Sequence, residues 1–217
     1  MTNKIKHIIW DWNGTLVNDA WLFVELMNEE LSQRNLPLID IQKYRQNFIF
    51  PVKKYYENLG FNFKKESFQE VGYHFIQKYK HRKHEPALFD DTIEILTDIS
   101  ERGISQSIIS AQENTLLQES IQHYNITKFF DSIMGIEHYY ADSKIKIAQN
   151  NKSQLNCSDD NILMIGDTAH DYEVAESLNV SCLLFTKGHY SRWRLQKTNC
   201  IMIDSLLEIT NYLKGEE

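Results

Sequence analysis

The second half of the sequence alternates between short apolar runs and amphipathic segments of helical length, and this alternation constrains the fold more than any other feature. Strands separated by such helices pair in parallel, because a parallel pair needs a long crossover connection. The pattern therefore predicts an α/β fold with a Rossmann-like, doubly wound parallel sheet. Strands are predicted at 105–109, 130–135, 161–165, 180–185 and 200–203, and helices at 91–103, 114–124, 145–155, 169–178 and 205–213.

A further strand is predicted near the N-terminus, where residues 7–16 read His-Ile-Ile-Trp-Asp-Trp-Asn-Gly-Thr-Leu. Its apolar run is unbroken, as in a strand buried on both faces. Asp11 falls where this strand ends, and Gly14 allows the chain to turn sharply. Ligands bind at the carboxyl ends of strands in open α/β sheets, so Asp11 is a candidate functional carboxylate. A helix N-cap is the alternative interpretation of the same residue.

Residues 17–86 differ from the sequence on either side. Apolar residues recur there at helical spacing and predict four helices, at 20–35, 41–50, 51–59 and 66–81, without a strand. An all-helical block directly after the first strand indicates an inserted helical cap. We therefore predict a core domain of residues 1–16 and 87–217 and a cap domain of residues 17–86.

The many aromatic residues of the predicted cap are interpreted mostly as its own core. Arg45 and Lys53, on either side of the Phe50-Pro51 turn, are candidate contacts for an anionic substrate. Isolated charges are usually solvated, so surface charge is the preferred interpretation of both.

Composition excludes several classes of function. The chain has 217 residues and a formal net charge of −7, which argues against nucleic-acid binding because the phosphate backbone favours clustered Lys and Arg. A small phosphorylated ligand needs only a local positive patch. No stretch approaches the ~20 apolar residues of a membrane span. Three irregularly spaced cysteines and the lack of an apolar leader predict a cytoplasmic protein. We expect a monomer or a small homo-oligomer.

Polar residues follow four of the predicted strands and should meet at one edge of the sheet. They are Asp11, Ser110, Lys144 and the segment Gly-Asp-Thr-Ala-His-Asp at 166–171. Three carboxylates at one place repel each other, and Lys144 offsets only one of them. Mg²⁺ would offset more, since it binds carboxylates together with phosphate oxygens. A carboxylate that faces phosphorus can act as a nucleophile, while a hydroxyl and an ammonium stabilise the phosphoryl oxygens.

These residues resemble, in order, the four motifs of the haloacid dehalogenase superfamily. Asp-Trp-Asn-Gly-Thr-Leu at 11–16 is similar to the first motif, Ser110 and Lys144 to the second and third, and 166–171 to the fourth. The helical block resembles the first type of cap in that superfamily, and the whole chain is most similar to its phosphoglycolate-phosphatase-like branch. The resemblance implies a Mg²⁺-dependent phosphatase that hydrolyses small phosphorylated metabolites, as monoesters, through an aspartyl-phosphate.

The resemblance also implies roles for individual residues. Asp11 would be the nucleophile and a Mg²⁺ ligand, with the backbone carbonyl of Asn13 and the carboxylate of Asp167 as further ligands. Asp171 would support the metal through water and pair with Lys144, for which Lys146 is the rival. The phosphoryl group would be bound by Asn13, Gly14, Thr15, Ser110, Ala111 and Lys144, and Thr15 would also orient Asp11.

Asn13 departs from the pattern of the family. The phosphatases usually have Asp there, which protonates the leaving oxygen, whereas an amide cannot transfer that proton. Acid–base help is typically worth ~10²–10⁴-fold. Substrates with good leaving groups, such as acyl or aryl phosphates, would still react, or His170 would substitute, although a polar residue in the first turn of a helix is the preferred interpretation of His170. Alternatively the chain is a weakly active or inactive phosphate-binding or regulatory protein, or a phosphotransferase. A metal-free dehalogenase is less favoured, because Asp167 and Asp171 fit a cation better than a halide.

Four other residues lie close to these motifs. His189 and Arg194 follow the strand predicted at 180–185 and so belong to the same sheet edge, although a solvated loop is the preferred interpretation. Trp10 is interpreted as core. Trp12 is left open, as a wall of the site or a contact to the cap.

Overall fold

A computed structural model describes residues 5–137 and 144–214. Within these ranges six strands form one parallel sheet in the Rossmann order β3-β2-β1-β4-β5-β6. The chain runs outward from β1 to β3 and then returns to build the other half from β4, which confirms the predicted doubly wound fold. The strands are β1 (His7–Trp10), β2 (Ser105–Glu113), β3 (Ser132–Ile136), β4 (Ile162–Gly166), β5 (Ser181–Phe185) and β6 (Ile201–Ile203).

Helices cover both faces of the sheet and fill the segment after β1. They are α1 (Ala20–Gln33), α2 (Ile41–Asn47), α3 (Val52–Asn58), α4 (Phe68–Arg82), α5 (Thr92–Glu101), α6 (Asn114–His123), α7 (Lys144–Ser153), α8 (Ala169–Leu178), α9 (Arg192–Leu195) and α10 (Ile209–Lys214). Short 3-10 helices lie at Thr127–Phe129, Asp159–Asn161 and Leu206–Glu208. No helix in the described part of the chain is both long and apolar enough to cross a membrane.

β1 is the centre of the sheet and is buried on both faces. Ile8 and Trp10 pack in the apolar cluster that α5 covers, together with Ile95, whereas Ile9 points to the opposite cluster with Val174 of α8. Successive side chains of a strand alternate between faces, so an unbroken apolar run fits only a position covered on both sides. The burial of Trp10 confirms its prediction as core.

The inserted helices α1–α4 share one apolar cluster, in which Leu22, Tyr44 and Tyr55 are almost fully buried. The two chain segments that connect this block to the sheet run side by side. Val17 forms an antiparallel bridge with Leu88, and the Asn18 N–H donates to the Ala87 carbonyl at 2.9 Å. The domain boundaries of the sequence analysis remain predictions, and residues 17–86 are called the cap below.

Two elements differ from their predicted bounds near the site. β2 continues to Glu113, with an irregularity in its pairing to β3 after Ile109, so Ser110 lies inside the strand instead of following it. The polar sequence Ser-Ala-Gln-Glu at 110–113 hides this extension from a reading based on apolar runs. α7 begins at Lys144 itself. The single turn of α9 was not predicted, because four residues are too few to show helical periodicity.

Candidate active site

The carboxyl ends of β1 and β4 bring the two strongest candidate residues together. Trp10 pairs with Ile165 in the sheet, and the Asp11 N–H donates to the Ile165 carbonyl at 2.8 Å. Asp11 therefore lies directly beside Gly166, one residue before Asp167. This is the point where the strand order reverses, which is where open α/β sheets bind ligands.

Asp11, Asp167 and Asp171 form a compact cluster of buried carboxylates. Each offers an oxygen atom within 4.8 Å of the other two. The ammonium of Lys144, itself 3% exposed, donates to an oxygen of Asp11 and to Oδ1 of Asp171. Lys146 is exposed, so the geometry distinguishes the two lysines that the sequence left as rivals.

Burial and mutual repulsion shift the pKa values of this cluster. Burial raises the pKa of Asp11 to about 6, with Lys144 acting in the opposite direction. Burial, together with repulsion from Asp11 and Asp171, raises the pKa of Asp167 to about 8, although His189 opposes the shift. Burial disfavours the charged form of Lys144, but Asp11 and Asp171 outweigh it and raise the pKa of Lys144 well above its usual range.

Asp171 is held more tightly than the other two carboxylates. Its Oδ2 accepts from the Thr168 hydroxyl at 2.7 Å and from the Thr168 N–H at 2.9 Å, as part of a capping box at the start of α8. Although burial acts to raise the pKa of Asp171, Lys144 and these hydrogen bonds lower it overall. Asp171 therefore stays ionised and anchors the lysine.

The turn after β1 supports the cluster from behind. The Thr15 hydroxyl lies 3.0 Å from Oδ1 of Asp167 and 3.3 Å from Oδ2 of Asp11, so it bridges the two carboxylates. Gly14 has a φ of +77°, and a Cβ there would collide with the Asp167 carboxylate and the His189 ring. Only glycine satisfies both the backbone conformation and the close approach.

A cavity of about 350 Å³ opens above the cluster, between the sheet edge and the cap. Asn13, Ser110, Ala111 and Lys144 line it, whereas Gly14 and Thr15 are not among the residues of its wall. The Ser110 hydroxyl accepts from the Gln112 N–H at 3.1 Å, so its own O–H remains a donor. The structure thus brings the four strand-end motifs to one place.

Asn13 is engaged by a carboxylate that the sequence analysis missed. Its amide donates to Oδ2 of Asp19 at 2.6 Å and to the Tyr79 hydroxyl at 3.1 Å. Asp19 is fully buried, and its Oδ1 accepts from the Gly14 N–H at 3.0 Å. The sequence did contain a signal for Asp19. It follows Gly14, where the chain turns sharply, by five residues, which is a short enough distance for the carboxylate to reach back to the turn.

The solvated-loop interpretation of His189 was wrong. His189 is 4% exposed and lines the cavity. One ring nitrogen lies 3.2 Å from Oδ1 of Asp19, the other lies 2.8 Å from the Tyr44 hydroxyl, and the backbone N–H of His189 donates to Oδ2 of Asp167. Burial lowers the pKa of His189, but the interaction with Asp19 outweighs it, and the net pKa is raised.

The other candidates are not part of the carboxylate cluster. The side chain of Arg45 donates to the Lys187 carbonyl, and that of Arg194 donates to the Phe48 carbonyl. Lys53 is exposed. His170 lines the cavity and lies 3.1 Å from the Glu173 carboxylate. Trp12, which was left open, packs in the apolar cluster beneath the sheet edge.

The residues of the cluster fit a hard divalent cation. All three side chains offer carboxylate oxygens, the donors that Mg²⁺ prefers, and their spacing allows one ion to contact them together. When all three are ionised, the single ammonium of Lys144 leaves an excess of buried negative charge. A cation would relieve that repulsion.

The fold and the site define a Rossmann-like α/β protein with an acidic strand-end site covered by inserted helices. A sequence model described as haloacid dehalogenase-like hydrolase matches residues 8–185. The chain belongs to this family of hydrolases, and the resemblance stated from the four motifs is confirmed.

Individual relatives are distant in sequence but similar over their whole length. Pyrophosphatase PpaX of Listeria monocytogenes is 21% identical, and the comparison covers 100% of both chains. A haloacid dehalogenase-like hydrolase from Streptococcus pneumoniae has a TM-score of 0.84 at 22% identity, covering 98% of this chain and 99% of that one. A predicted phosphoglycolate phosphatase from Haemophilus somnus has a TM-score of 0.77 at 17% identity, covering 96% and 97%.

Proposed function

We propose that this hydrolase is a Mg²⁺-dependent phosphatase of small phosphate monoesters and that Asp11 is its nucleophile. The observation that carries the proposal is the position of Asp11. Its carboxylate lies at the floor of the cavity, contacted by Lys144 and Thr15 and beside two further acids. The names of the relatives, a pyrophosphatase and a predicted phosphoglycolate phosphatase, also support a phosphorylated substrate.

The reaction would proceed in two displacements at phosphorus. A carboxylate oxygen of Asp11 attacks the phosphorus atom, the bond to the ester oxygen breaks, and the ester oxygen leaves with that electron pair and takes a proton from water to form the alcohol. Water then attacks the phosphorus of the aspartyl-phosphate, which releases inorganic phosphate and regenerates Asp11. Lys144 and Ser110 would hold the non-bridging oxygens, where negative charge must be stabilised during both steps.

The metal would complete the charge balance. Held by Asp11, Asp167 and the backbone carbonyl of Asn13, with Asp171 acting through water, Mg²⁺ would supply positive charge that neutralises the phosphoryl oxygens. Thr15 would keep Asp11 and Asp167 in a fixed relative position, because its hydroxyl contacts both. Asp171 would position Lys144.

Asn13 favours a second candidate, a phosphate-binding protein with little turnover. Its amide donates to Asp19 and cannot protonate a leaving oxygen. His170 lines the same cavity and is the alternative acid that the sequence suggested. A phosphotransferase would use an alcohol in place of water in the second displacement.

The deciding experiment is phosphate release from a panel of phosphate esters and acetyl phosphate, with Mg²⁺ and with chelator. We expect release that requires Mg²⁺ and is lost in Asp11→Asn. The matched control is Asp131→Asn, which changes an exposed carboxylate in the same way. Release that persists in Asp11→Asn would contradict the proposal. Phosphate binding without release would favour the binding protein, and transfer to added alcohols would favour the phosphotransferase.

Lys144 and Lys146 form a second matched pair. Replacing Lys144 by Met removes the ammonium that contacts Asp11 and Asp171, so we expect kcat to fall by about 10²–10³-fold. Lys146→Met alters an exposed side chain on the same helix and should leave kcat unchanged. A larger loss in Lys146→Met than in Lys144→Met would reverse the assignment of the phosphate-binding lysine.

A further inference from the structure

The cavity above Asp11 has two chemically different ends. Its floor is ionic, with the Asp11 carboxylate, Lys144 and Asp167. Its cap side is aromatic, and the side chains that form it include Phe23, Tyr44, Phe48, Tyr55, Phe68 and Phe75. A phosphoryl group placed on Asp11 would therefore direct its leaving group into an aromatic chamber.

The cap brings no cation to this chamber. Among the described residues that line the cavity, Lys144 is the only lysine or arginine. Arg45, the cap arginine considered from the sequence, donates to the Lys187 carbonyl at 2.6 Å and is not among the residues of the cavity wall. On the cap side, a leaving group with its own negative charge, such as the carboxylate of phosphoglycolate or the second phosphoryl of pyrophosphate, would be desolvated without a lysine or arginine as partner.

The chamber has the size that an aromatic ring needs. An apolar cavity of roughly 150 Å³ holds benzene, and this one has about 350 Å³ for ring and phosphoryl group together. Two groups on its wall, the Tyr55 hydroxyl and the Gln112 side-chain amide, are buried without a hydrogen-bond partner in the described part of the chain.

The chemistry at position 13 points to the same class of substrate. Without an acid to protonate the leaving oxygen, the reaction favours an alcohol that leaves as a stable anion. A phenol does so far more readily than an alkyl alcohol, because its pKa is much lower. The electron pair of the broken P–O bond stays on the phenolate oxygen, which then takes a proton from solvent water.

We infer that the substrates of this site are aryl phosphate monoesters, with the ring held by the aromatic wall of the cap. The inference rests on the proposed phosphatase function and specifies its substrate class. It combines two independent features, the aromatic, cation-free wall and the amide at position 13.

Four phosphorylated compounds separate ring recognition from leaving-group chemistry. Phenyl phosphate has both a ring and a good leaving group, benzyl phosphate only the ring, acetyl phosphate only the leaving group, and phosphoglycolate neither. We expect KM at least about tenfold lower for phenyl and benzyl phosphate than for phosphoglycolate, since a ring buries apolar area. We expect kcat at least about tenfold higher for phenyl than for benzyl phosphate.

A variant pair on α3 tests the wall itself. Val52 lines the cavity and is partly exposed, whereas Asn58, at the other end of the helix, is exposed and outside the wall. Val52→Arg should raise KM for phenyl phosphate and lower it for phosphoglycolate, each by about tenfold. Asn58→Arg adds the same charge and should change neither.

The outcomes distinguish this inference from the proposed function. If wild-type protein hydrolyses phosphoglycolate with a kcat/KM at or above that of phenyl phosphate, and Asp11→Asn abolishes it, the phosphatase stands and the aryl class is wrong. If none of the four compounds, acetyl phosphate included, releases phosphate, the proposed function itself fails. Equal KM values for all four compounds would also overturn the role of the aromatic wall.

Discussion

At the scale of single residues, Asn13 and Asp19 act as a pair. The Asn13 amide donates to Oδ2 of Asp19, while Oδ1 of Asp19 accepts from the Gly14 N–H and lies near His189. A carboxylate introduced at position 13 would therefore face a buried carboxylate at hydrogen-bonding distance. Two such groups cannot both ionise, so one of them takes up a proton. Asn13→Asp alone would therefore leave one proton shared between positions 13 and 19, so the effect of an acid at 13 could not be separated from that of the carboxylate at 19.

Exchanging the two residues keeps the charge and moves the acid. In the double variant Asn13→Asp/Asp19→Asn, the new amide at 19 can still accept from Gly14 and can donate to the carboxylate at 13. We expect the hydrolysis of alkyl phosphates to rise by about 10²–10⁴-fold, because the carboxyl group at 13, once it has taken up a proton, can give that proton to the leaving oxygen, which an amide cannot. Aryl phosphates should gain much less, since their leaving groups need little help.

The control for the exchange is Asp19→Asn alone, which removes the carboxylate and supplies no acid. Its activity should not exceed that of the wild type with either class of ester. Steady-state rates for phenyl and benzyl phosphate measure both effects. An equal gain for the two esters would contradict the assignment of acid catalysis to position 13.

At the scale of the elements, the side chain of His7 joins β1 to β2 in addition to the backbone hydrogen bonds between the two strands. His7 pairs with Ser105 in the register of the two strands and is almost fully buried. One ring nitrogen lies 2.6 Å from the Ser105 hydroxyl and the other 2.9 Å from the Ser107 hydroxyl. A neutral imidazole satisfies both hydroxyls, and burial lowers the pKa of His7 to about 4, although Asp131 opposes the shift.

This pKa predicts a specific loss of stability in acid. The unfolded chain takes up a proton on His7 below its ordinary pKa of about 6.5, whereas the folded chain does so only near 4. The stabilising contribution is therefore complete above pH 6.5 and is lost as the pH falls to about 4. The difference corresponds to roughly 3 kcal/mol in the free energy of unfolding.

Urea unfolding at several pH values measures the contribution when wild type is compared with His7→Gln. Between pH 7 and pH 4 the wild type should lose up to roughly 3 kcal/mol more than the variant, because all other titrating groups are shared. His74→Gln, on the exposed side of α4, is the control and should follow the wild type. Parallel curves for wild type and His7→Gln would show that His7 does not carry the shift.

The elements were predictable where periodicity is strong and were not where contacts from distant segments decide. The apolar runs at 161–165 and 180–185 indicated β4 and β5 because buried strands need little else. The extension of β2 through Ser110 depends on its pairing with β3, which no local pattern records. The burial of His189 was not predictable for the same reason, because it depends on contacts with Asp19 and Tyr44, which are far away in sequence.

At the scale of the whole molecule, one loop connects the cap to the acidic cluster. The Ser191 N–H donates to the Arg45 carbonyl at 3.1 Å, and His189 contacts Tyr44 of α2 through its ring. The backbone N–H of the same residue donates to Asp167. The strand-end positions of Asp11 and Asp167 followed from the sequence, but this connection did not, because it depends on how the cap lies over the sheet.

The carboxylate cluster predicts that a divalent cation and a proton compete for the same carboxylate groups. Burial raises the pKa of Asp167 to about 8 and that of Asp11 to about 6, so at pH 7 the metal-free protein holds a proton chiefly on Asp167. A divalent cation needs the ionised carboxylate and must displace that proton. We therefore expect Mg²⁺ binding at pH 7 to release about one proton per chain, falling towards zero at pH 9.

Calorimetric titration with Mg²⁺ in buffers of different ionisation enthalpy counts these protons without any substrate. The affinity for Mg²⁺ should rise by up to about tenfold per pH unit below pH 8 and level off above it, since the competing proton is then already lost. Asp167→Asn removes both the proton and a ligand, so its binding should weaken and should no longer depend on pH between pH 7 and pH 9. Asp90→Asn, an exposed carboxylate, is the control and should behave as the wild type. Tight binding at pH 7 without proton release would mean that Asp167 is already ionised in the metal-free protein, and the charge balance argued for the cluster would then be wrong.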